Sequence, residues 1–283
     1  VSDGNSQFTI SNENDFPLIF WRGHAVAKLK AGPSLLKPLV QPLSEDLLEL
    51  GDREVVRRRC QKWMNNYISD TFSLLITAHT SPALSSEARG LMFQLAENLG
   101  SIERKSVANF IGAMGKLDRK SLKPFGLRIG RHWVFIPTLL KPHVITLRGI
   151  LWGLWKNIKV NTPPPGRVSF SIDEQMPIKY YSSIGYAHFP NLIIRCDIVE
   201  RLASSAWAIS RKGSFKMEGD ATKLLSLAGC SADEIVKVLL VLGYKNKLDS
   251  NGIIHFRYAR ALQKQTKESI FKPNRKTKNN TNP

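Results

Sequence analysis

The sequence predicts a mainly α chain with short β-hairpins, an α+β class in which a helical bundle is followed by a winged-helix-like C-terminal unit. Three observations lead there. Apolar residues recur at helical spacing over 55–76 and 144–158, short alternating runs flank polar turns near 8–29 and 127–136, and residues 221–258 read as helix, turn, helix and hairpin.

In chain order, Phe8 and Ile10, then Leu18, Phe20 and Val26, alternate as strands around a polar turn at 12–15, and Gly32-Pro33 is expected to break that pattern. Asp52 is a candidate N-cap for the first long helix, whose apolar side runs through Val55, Val56, Cys60, Trp63, Met64, Tyr67, Ile68, Phe72, Leu75 and Ile76. A second helix starts at Ser85 or Ser86 and carries Ala88, Leu91, Met92, Leu95 and Leu99, with Gly100 placed for a left-handed end. A third is expected from Ser101, with Val107, Ile111 and Met114. Leu127 to Ile129 and Trp133 to Ile136 form a hairpin over Gly130-Arg131. Pro142 opens the clearest helix, with Val144, Leu147, Leu151, Leu154 and Ile158 on one side and Trp152 and Trp155 widening it; Pro163-Pro164-Pro165-Gly166 is read as its end and as a subdomain boundary. Strands at 168–172 and 192–196 and a helix over 197–209 follow. The last unit has a short helix over 221–227, Ser231 as N-cap of a second helix, and a hairpin from Tyr244 to Tyr258 over Asp249-Ser250-Asn251-Gly252.

These elements divide the chain into a β-rich segment (1–52), a basic helical region with a hairpin (53–162), an α+β connecting segment (163–219), a winged-helix-like unit (220–260) and a basic, largely disordered tail (261–283). The strings Pro33-Ser34-Leu35-Leu36-Lys37-Pro38 and Pro137-Thr138-Leu139-Leu140-Lys141-Pro142 agree at five of six places, which suggests either an old duplication or reuse of one strand-to-helix turn.

Charge is distributed unevenly. The 283 residues hold 41 Lys+Arg against 23 Asp+Glu, a net charge of +18, and by segment the balance is −3 over 1–52, +12 over 53–160, +2 over 161–219 and +7 over 220–283. A uniform solubility coat would not concentrate charge in this way. Arg148 interrupts the best apolar run, 144–155, so nothing approaches the roughly 18 residues needed to span a bilayer. With three cysteines spaced 136 and 34 apart and no CxxC, the chain reads as cytoplasmic with reduced thiols. It opens on Val1 in a polar stretch, as a piece of a longer chain would.

Catalytic motifs are missing from the sequence. No GxxxxGK[ST] loop exists to cradle phosphate; Gly112-Ala113-Met114-Gly115-Lys116-Leu117 has the wrong spacing and lacks the hydroxyl. Those residues also resemble the GxxG clamp of a KH domain, with Lys116 near phosphate, but no strand is expected before the helix, so a helix-ending turn is the plainer reading. Residues 168–175 look like a strand ending in the Asp173-Glu174 of a Walker B site, which lacks its partner loop. His24, His79, His132, His143, His188 and His255 never reach metal-ligand spacing, and Cys60 lies among apolar positions. The chain by itself is expected to hold no metal or cofactor and to catalyse nothing.

Binding signals are stronger. Arg57-Arg58-Arg59 with Arg53 and Lys62 decorate the first helix, and Arg104, Lys105, Lys116, Arg119, Lys120, Lys123, Arg128 and Arg131 follow; side-by-side helices would collect them in one phosphate-binding groove, and separated helices would leave them scattered. Trp133, Trp152 and Trp155 offer faces for bases, but their placement favours the core. In the C-terminal unit Ala232-Asp233-Glu234 sets acid at the end of the helix that would read a groove, whereas the hairpin carries Lys245, Lys247, Arg257 and Arg260. Backbone contact by the hairpin is therefore expected over base reading by the helix. The contacts expected are Arg57, Arg58, Arg128, Arg131, Lys245, Lys247 and Arg257.

Several strings carry a resemblance: Ile19-Phe20-Trp21-Arg22-Gly23 with Val26-Ala27-Lys28-Leu29; Gly126-Leu127-Arg128-Ile129-Gly130 leading to Val134-Phe135-Ile136-Pro137; Leu147-Arg148-Gly149-Ile150-Leu151-Trp152; Pro164-Pro165-Gly166; Arg195-Cys196-Asp197-Ile198-Val199-Glu200-Arg201-Leu202; and Leu227-Ala228-Gly229-Cys230-Ser231 with Leu242-Gly243-Tyr244. In order and nearly end to end, they resemble the region following the motor in large alphaproteobacterial helicases that are similar to the mitochondrial degradosome RNA helicase, a superfamily-two ATPase. The resemblance implies an accessory platform for ATP-dependent unwinding of RNA or RNA–DNA duplexes, RNA preferred over DNA. It implies motor domains supplied by a preceding part of the protein or by a separate chain, and it assigns no catalytic position here. The rival expectation is a module that docks on a helicase or nuclease through apolar faces such as Leu151 and Trp155.

Overall fold

Alternating apolar residues at the start of the chain build one antiparallel sheet in the computed structural model, which describes residues 4–12, 16–43, 50–217, 219 and 221–259. Strands β1 (Phe8–Ser11), β2 (Leu18–Trp21), β3 (His24–Ser34) and β4 (Lys37–Pro42) lie in sequential order. Arg22 and Gly23, with φ of 49° and 81°, make the two-residue reversal from β2 to β3, the left-handed pair such a turn needs. The expected break at Gly32-Pro33 does not occur, because β3 runs through both. A Cβ on Gly32 would lie 1.8 Å from the Lys37 carbonyl oxygen, so the missing side chain is what lets the two strands close around the irregularity between Lys30 and Ser34. The polar turn expected at 12–15 lies outside the described residues from 13 onward, as do Arg260 and the tail from 261.

Helix α1 (Leu50–Thr71) begins two residues before the expected cap, placing Asp52 inside its first turn. It buries Cys60, Trp63, Met64 and Ile68 and stops at Phe72, so the long helix expected through Ile76 is two, with α2 (Ser73–Thr80) second. Helix α3 (Ser86–Glu97) starts as expected, the Ser85 hydroxyl accepting from the Ala88 N–H at 3.3 Å. The helix expected from Ser101 is instead a strand. Leu99 and Gly100, at φ of 55° and 101°, turn the chain back, and β5 (Ser101–Glu103) precedes two short helices, α4 (Ala108–Ala113) and α5 (Lys116–Ser121). The hairpin of β6 (Arg128–Ile129) and β7 (Trp133–Phe135) forms as expected and β5 joins it, giving the order β5-β7-β6.

Helix α6 (Pro142–Lys156) ends at a left-handed Asn157, well before the proline string expected to stop it. The strings at 33–38 and 137–142 adopt different structures, the first a β3–β4 turn and the second a 3-10 turn leading into α6, so no strand-to-helix turn is reused. Next come β8 (Ser169–Ser171), α7 (Ile178–Ser183), β9 (Tyr186–Phe189) and β10 (Leu192–Arg195), with sheet order β8-β10-β9, then α8 (Cys196–Ser210). Beyond it lie β11 (Phe215–Lys216), α9 (Thr222–Ala228), α10 (Ala232–Val241), β12 (Tyr244–Leu248) and β13 (Ile254–Tyr258), with order β11-β13-β12. At about 49% helix and 23% strand among the described residues, in small antiparallel sheets, the fold is mixed α+β.

Two apolar cores share walls. Along β7, Trp133 and Phe135 enter one core while Val134 and Ile136 flank the other; along β10, Leu192 and Ile194 separate from Ile193 in the same way. Strand alternation is the cause, since both faces of these strands are covered. Tyr180, Tyr181 and Ile184, beyond the proline string, belong to the same core as α1, α3 and α6. Arg148, expected as a charge interrupting an apolar helix, is fully buried and donates to the carbonyls of Leu139 and Ser183 and to the Ser101 hydroxyl. Among the described residues, no helix is long and apolar enough to cross a membrane.

Candidate nucleic-acid interface

The C-terminal sheet sorts its side chains by alternation. Lys245 pairs with Arg257, Lys247 with His255, and Lys216 of β11 with His255, so Lys216, Lys245, Lys247, His255 and Arg257 share one face. The opposite face holds Phe215, Tyr244, Phe256 and Tyr258, which pack ring on ring at centroid distances of 5.1–5.8 Å with Trp207 of α8. Burial of those rings fixes the register and thereby turns the cations outward. One carboxylate touches this cationic face among the described residues: Asp249, 2.9 Å from His255 Nε2. It also accepts from the N–H groups of Asn251 and Ile253, and the imidazole bond, followed by these, holds its carboxyl below the usual range. At the start of α10, Glu234 takes the Ser231 N–H at 2.8 Å while the Ser231 hydroxyl accepts from Glu234, so the acid near the would-be reading helix is a capping box.

A second cationic region forms where the β6–β7 hairpin meets α8. The Glu200 carboxylate accepts three successive backbone N–H groups, Arg131 at 2.6 Å, His132 at 2.6 Å and Trp133 at 2.7 Å. A Cβ on Gly130 would lie 2.3 Å from the Glu200 carboxyl carbon, so the turn closes on the acid only because residue 130 is glycine. Two helical turns further along α8, Trp207 receives the Arg131 guanidinium 4.5 Å from its ring centroid. Arg104 donates to the Gly130 carbonyl at 2.7 Å, bracing the same turn from the other side. Burial lowers the proton affinity of His132. Beside this clasp an open groove of about 610 Å³ is lined by Arg128, Arg201, Ser204 and Ser205 along with Asp197 and Glu200.

The remaining expected contacts lie on other elements. Arg57 and Arg58 both bond to Glu54, at 2.7, 2.8 and 2.6 Å, and these bonds hold the Glu54 carboxyl down at about 2. They stand on α1, which packs against β3, β4 and α2, whereas Arg128 and Arg131 meet α8 and the hairpin cations back onto it. Lys105 pairs with Glu103, and Arg119 donates to the Ile111 carbonyl. Trp133 and Trp152 are core residues, but Trp155 is 44% exposed, and Leu151, offered as a docking residue, is 1% exposed. The GxxG string gains what it lacked in sequence. Strand β5 precedes α4, Gly112 and Ala113 end α4, and Met114 and Gly115 join it to α5, with nothing within 4 Å of a Cβ on Gly112 and the Gly115 N–H held by Asp118 at 2.8 Å.

Sequence reasoning missed Lys216, whose two-residue strand has no alternation to read, and Glu200, whose bonds span almost seventy residues. Among the described residues there is no group of three His, Cys, Asp or Glu that could hold a metal ion. No family model, curated protein or solved structure matches the chain.

Proposed function

We propose that this chain is a non-catalytic nucleic-acid-binding accessory segment of an ATP-dependent helicase, cytoplasmic and preferring RNA to DNA. Its motor is supplied by a preceding part of the protein or by a separate chain. The observation that carries the reading is the outward face of the C-terminal sheet, where four lysine and arginine side chains and His255 share one face and, among the described residues, Asp249 is the carboxylate that meets it. Such a face can hold phosphates without reading bases, consistent with an α10 start that is acidic. The order α9, α10, β12, β13 supports a winged-helix-like unit whose hairpin, rather than its second helix, meets the backbone. In the same reading α1 to α3 with α6 form the bundle, and the end of α4 at Gly112 with the turn that follows is a second place where a single strand approaches.

The test is fluorescence anisotropy of labelled single-stranded RNA, duplex RNA and duplex DNA over a salt series. The unmodified chain binds with log affinity falling against log salt, and K245E/K247E/R257E loses at least tenfold with a shallower slope. Unchanged affinity in that variant overturns the assignment of the sheet. The exposed Trp155 supports a second reading, docking on a protein partner; retention of a helicase or nuclease partner at high salt, with loss in W155A, would favour it.

A further inference from the structure

The groove between the β6–β7 hairpin and α8 has two carboxylates in its lining, yet both are already engaged. Asp197 is held in two bonds by Arg195, at 2.7 and 3.0 Å, and Glu200 by the three N–H groups of the 131–133 turn. What remains on the walls is cationic and hydroxylic. Arg128 is exposed on β6, and Arg201, Ser204 and Ser205 follow at spacings of three and four along α8, which places them on one helical face. Among the described residues, no carboxylate pairs with Arg128 or Arg201. Ile129 and Pro137 supply an apolar floor. At about 610 Å³ the groove is the size of a nucleotide-scale ligand, and open rather than enclosed.

We propose that this groove seats one nucleotide of a single-stranded nucleic acid, its phosphodiester against Arg128, Arg201 and the hydroxyls of Ser204 and Ser205, and its sugar and base over Ile129 and Pro137. The inference rests on the nucleic-acid reading above and adds to it a site and a substrate class. A base can enter such a groove only when unstacked, so the occupant is a single strand and not a helix. The Glu200 clasp sets the groove wall, because it fixes the turn between Arg128 and the Arg131 side chain that lies on Trp207.

The experiment is the same anisotropy series on the full chain, with R201Q and S204A/S205A added. Both variants keep the buried side of α8 intact, and an unchanged unfolding midpoint confirms that each is folded. R201Q is expected to weaken single-stranded RNA binding about fivefold and to reduce the log–log salt slope by about 0.7, one phosphate contact on a single strand. S204A/S205A is expected to weaken it about threefold with the slope unchanged, since hydroxyls release no counterions. Duplex affinity stays within about twofold of the unmodified chain in both. Wild-type affinity and slope in R201Q overturn the site, and an equal loss on duplex overturns the single-strand assignment. Absence of binding by the unmodified chain sinks the underlying reading instead, so the two failures are told apart.

Discussion

Arg148 bonds the Ser183 carbonyl twice, from Nε at 3.1 Å and from Nη2 at 2.8 Å, and is fully buried with no carboxylate bonded to it among the described residues. Its other bonds reach Leu139 and Ser101, so a single guanidinium joins the end of α7, the turn before α6 and the start of β5. Removing it leaves three buried acceptors short of a donor. R148A is expected to destabilise the fold by about 3–5 kcal/mol, and R148K to recover only part of that because an ammonium cannot span the same fork. Denaturant midpoints of the two variants decide the point, and an R148K midpoint equal to that of the unmodified chain would show that the planar fork is dispensable.

Alkaline stability is expected to depend on Tyr186. Its hydroxyl donates to the Arg167 carbonyl at 2.7 Å, and burial pushes its ionisation from 10 up to about 12. A phenol raised in the folded state contributes stability that is fully present below pH 10 and is lost as pH climbs to 12. Arg148 has the opposite sign, since burial lowers it from 12.5 to about 10 and the unfolded chain then binds more protons between those values. Y186F should therefore flatten the fall of the unfolding midpoint between pH 10 and 12. An unaltered fall would place the loss on other buried groups.

Locally signalled elements were legible in the sequence. Ser85 and Ser231 capped the helices they were expected to cap, Pro142 opened α6, and the hairpin over 249–252 set Lys245, Lys247 and Arg257 in alternation. Strands β5 and β11 were not legible, because two or three residues hold no periodicity and their pairing partners are distant in sequence, whereas β9, a four-residue strand one tight turn before β10, was passed over. The left-handed pair at Leu99 and Gly100 hid β5, and with it the strand that the GxxG reading lacked. Glu54 was a readable signal passed over: at three and four residues before Arg57 and Arg58 it was placed to engage both. No local pattern could have announced Glu200 as the anchor of a turn formed by 130–133.

The end of α4 gives a separable prediction. Gly112 and Ala113 are exposed and a Cβ on Gly112 meets nothing, so G112D/A113D should fold with an unfolding midpoint within a few degrees of the unmodified chain. Two added carboxylates near Lys116 are expected to cut single-stranded RNA affinity by about tenfold at low salt if a strand passes this helix end. Unchanged affinity, read by anisotropy, would leave residues 112–115 as a plain helix end and its turn into α5.

The clasp on Glu200 should behave as one unit. G130A adds a methyl where the carboxylate sits, and E200A removes the carboxylate, so each is expected to release the same three N–H bonds at a cost of about 2 kcal/mol. Once the acid is gone, the three atoms nearest the added methyl are gone with it. The double variant should then cost little more than either alone, with a coupling energy of about 1–2 kcal/mol, whereas additivity would mean that Gly130 is required for some other contact. Because Arg131 reaches Trp207 from the same turn, both single variants should also increase solvent quenching of Trp207 fluorescence, read in a chain whose other tryptophans are replaced by phenylalanine. A fully protected Trp207 in E200A would show that the stacked guanidinium holds its place without the backbone clasp, and that side-chain and backbone anchors of the hairpin act independently.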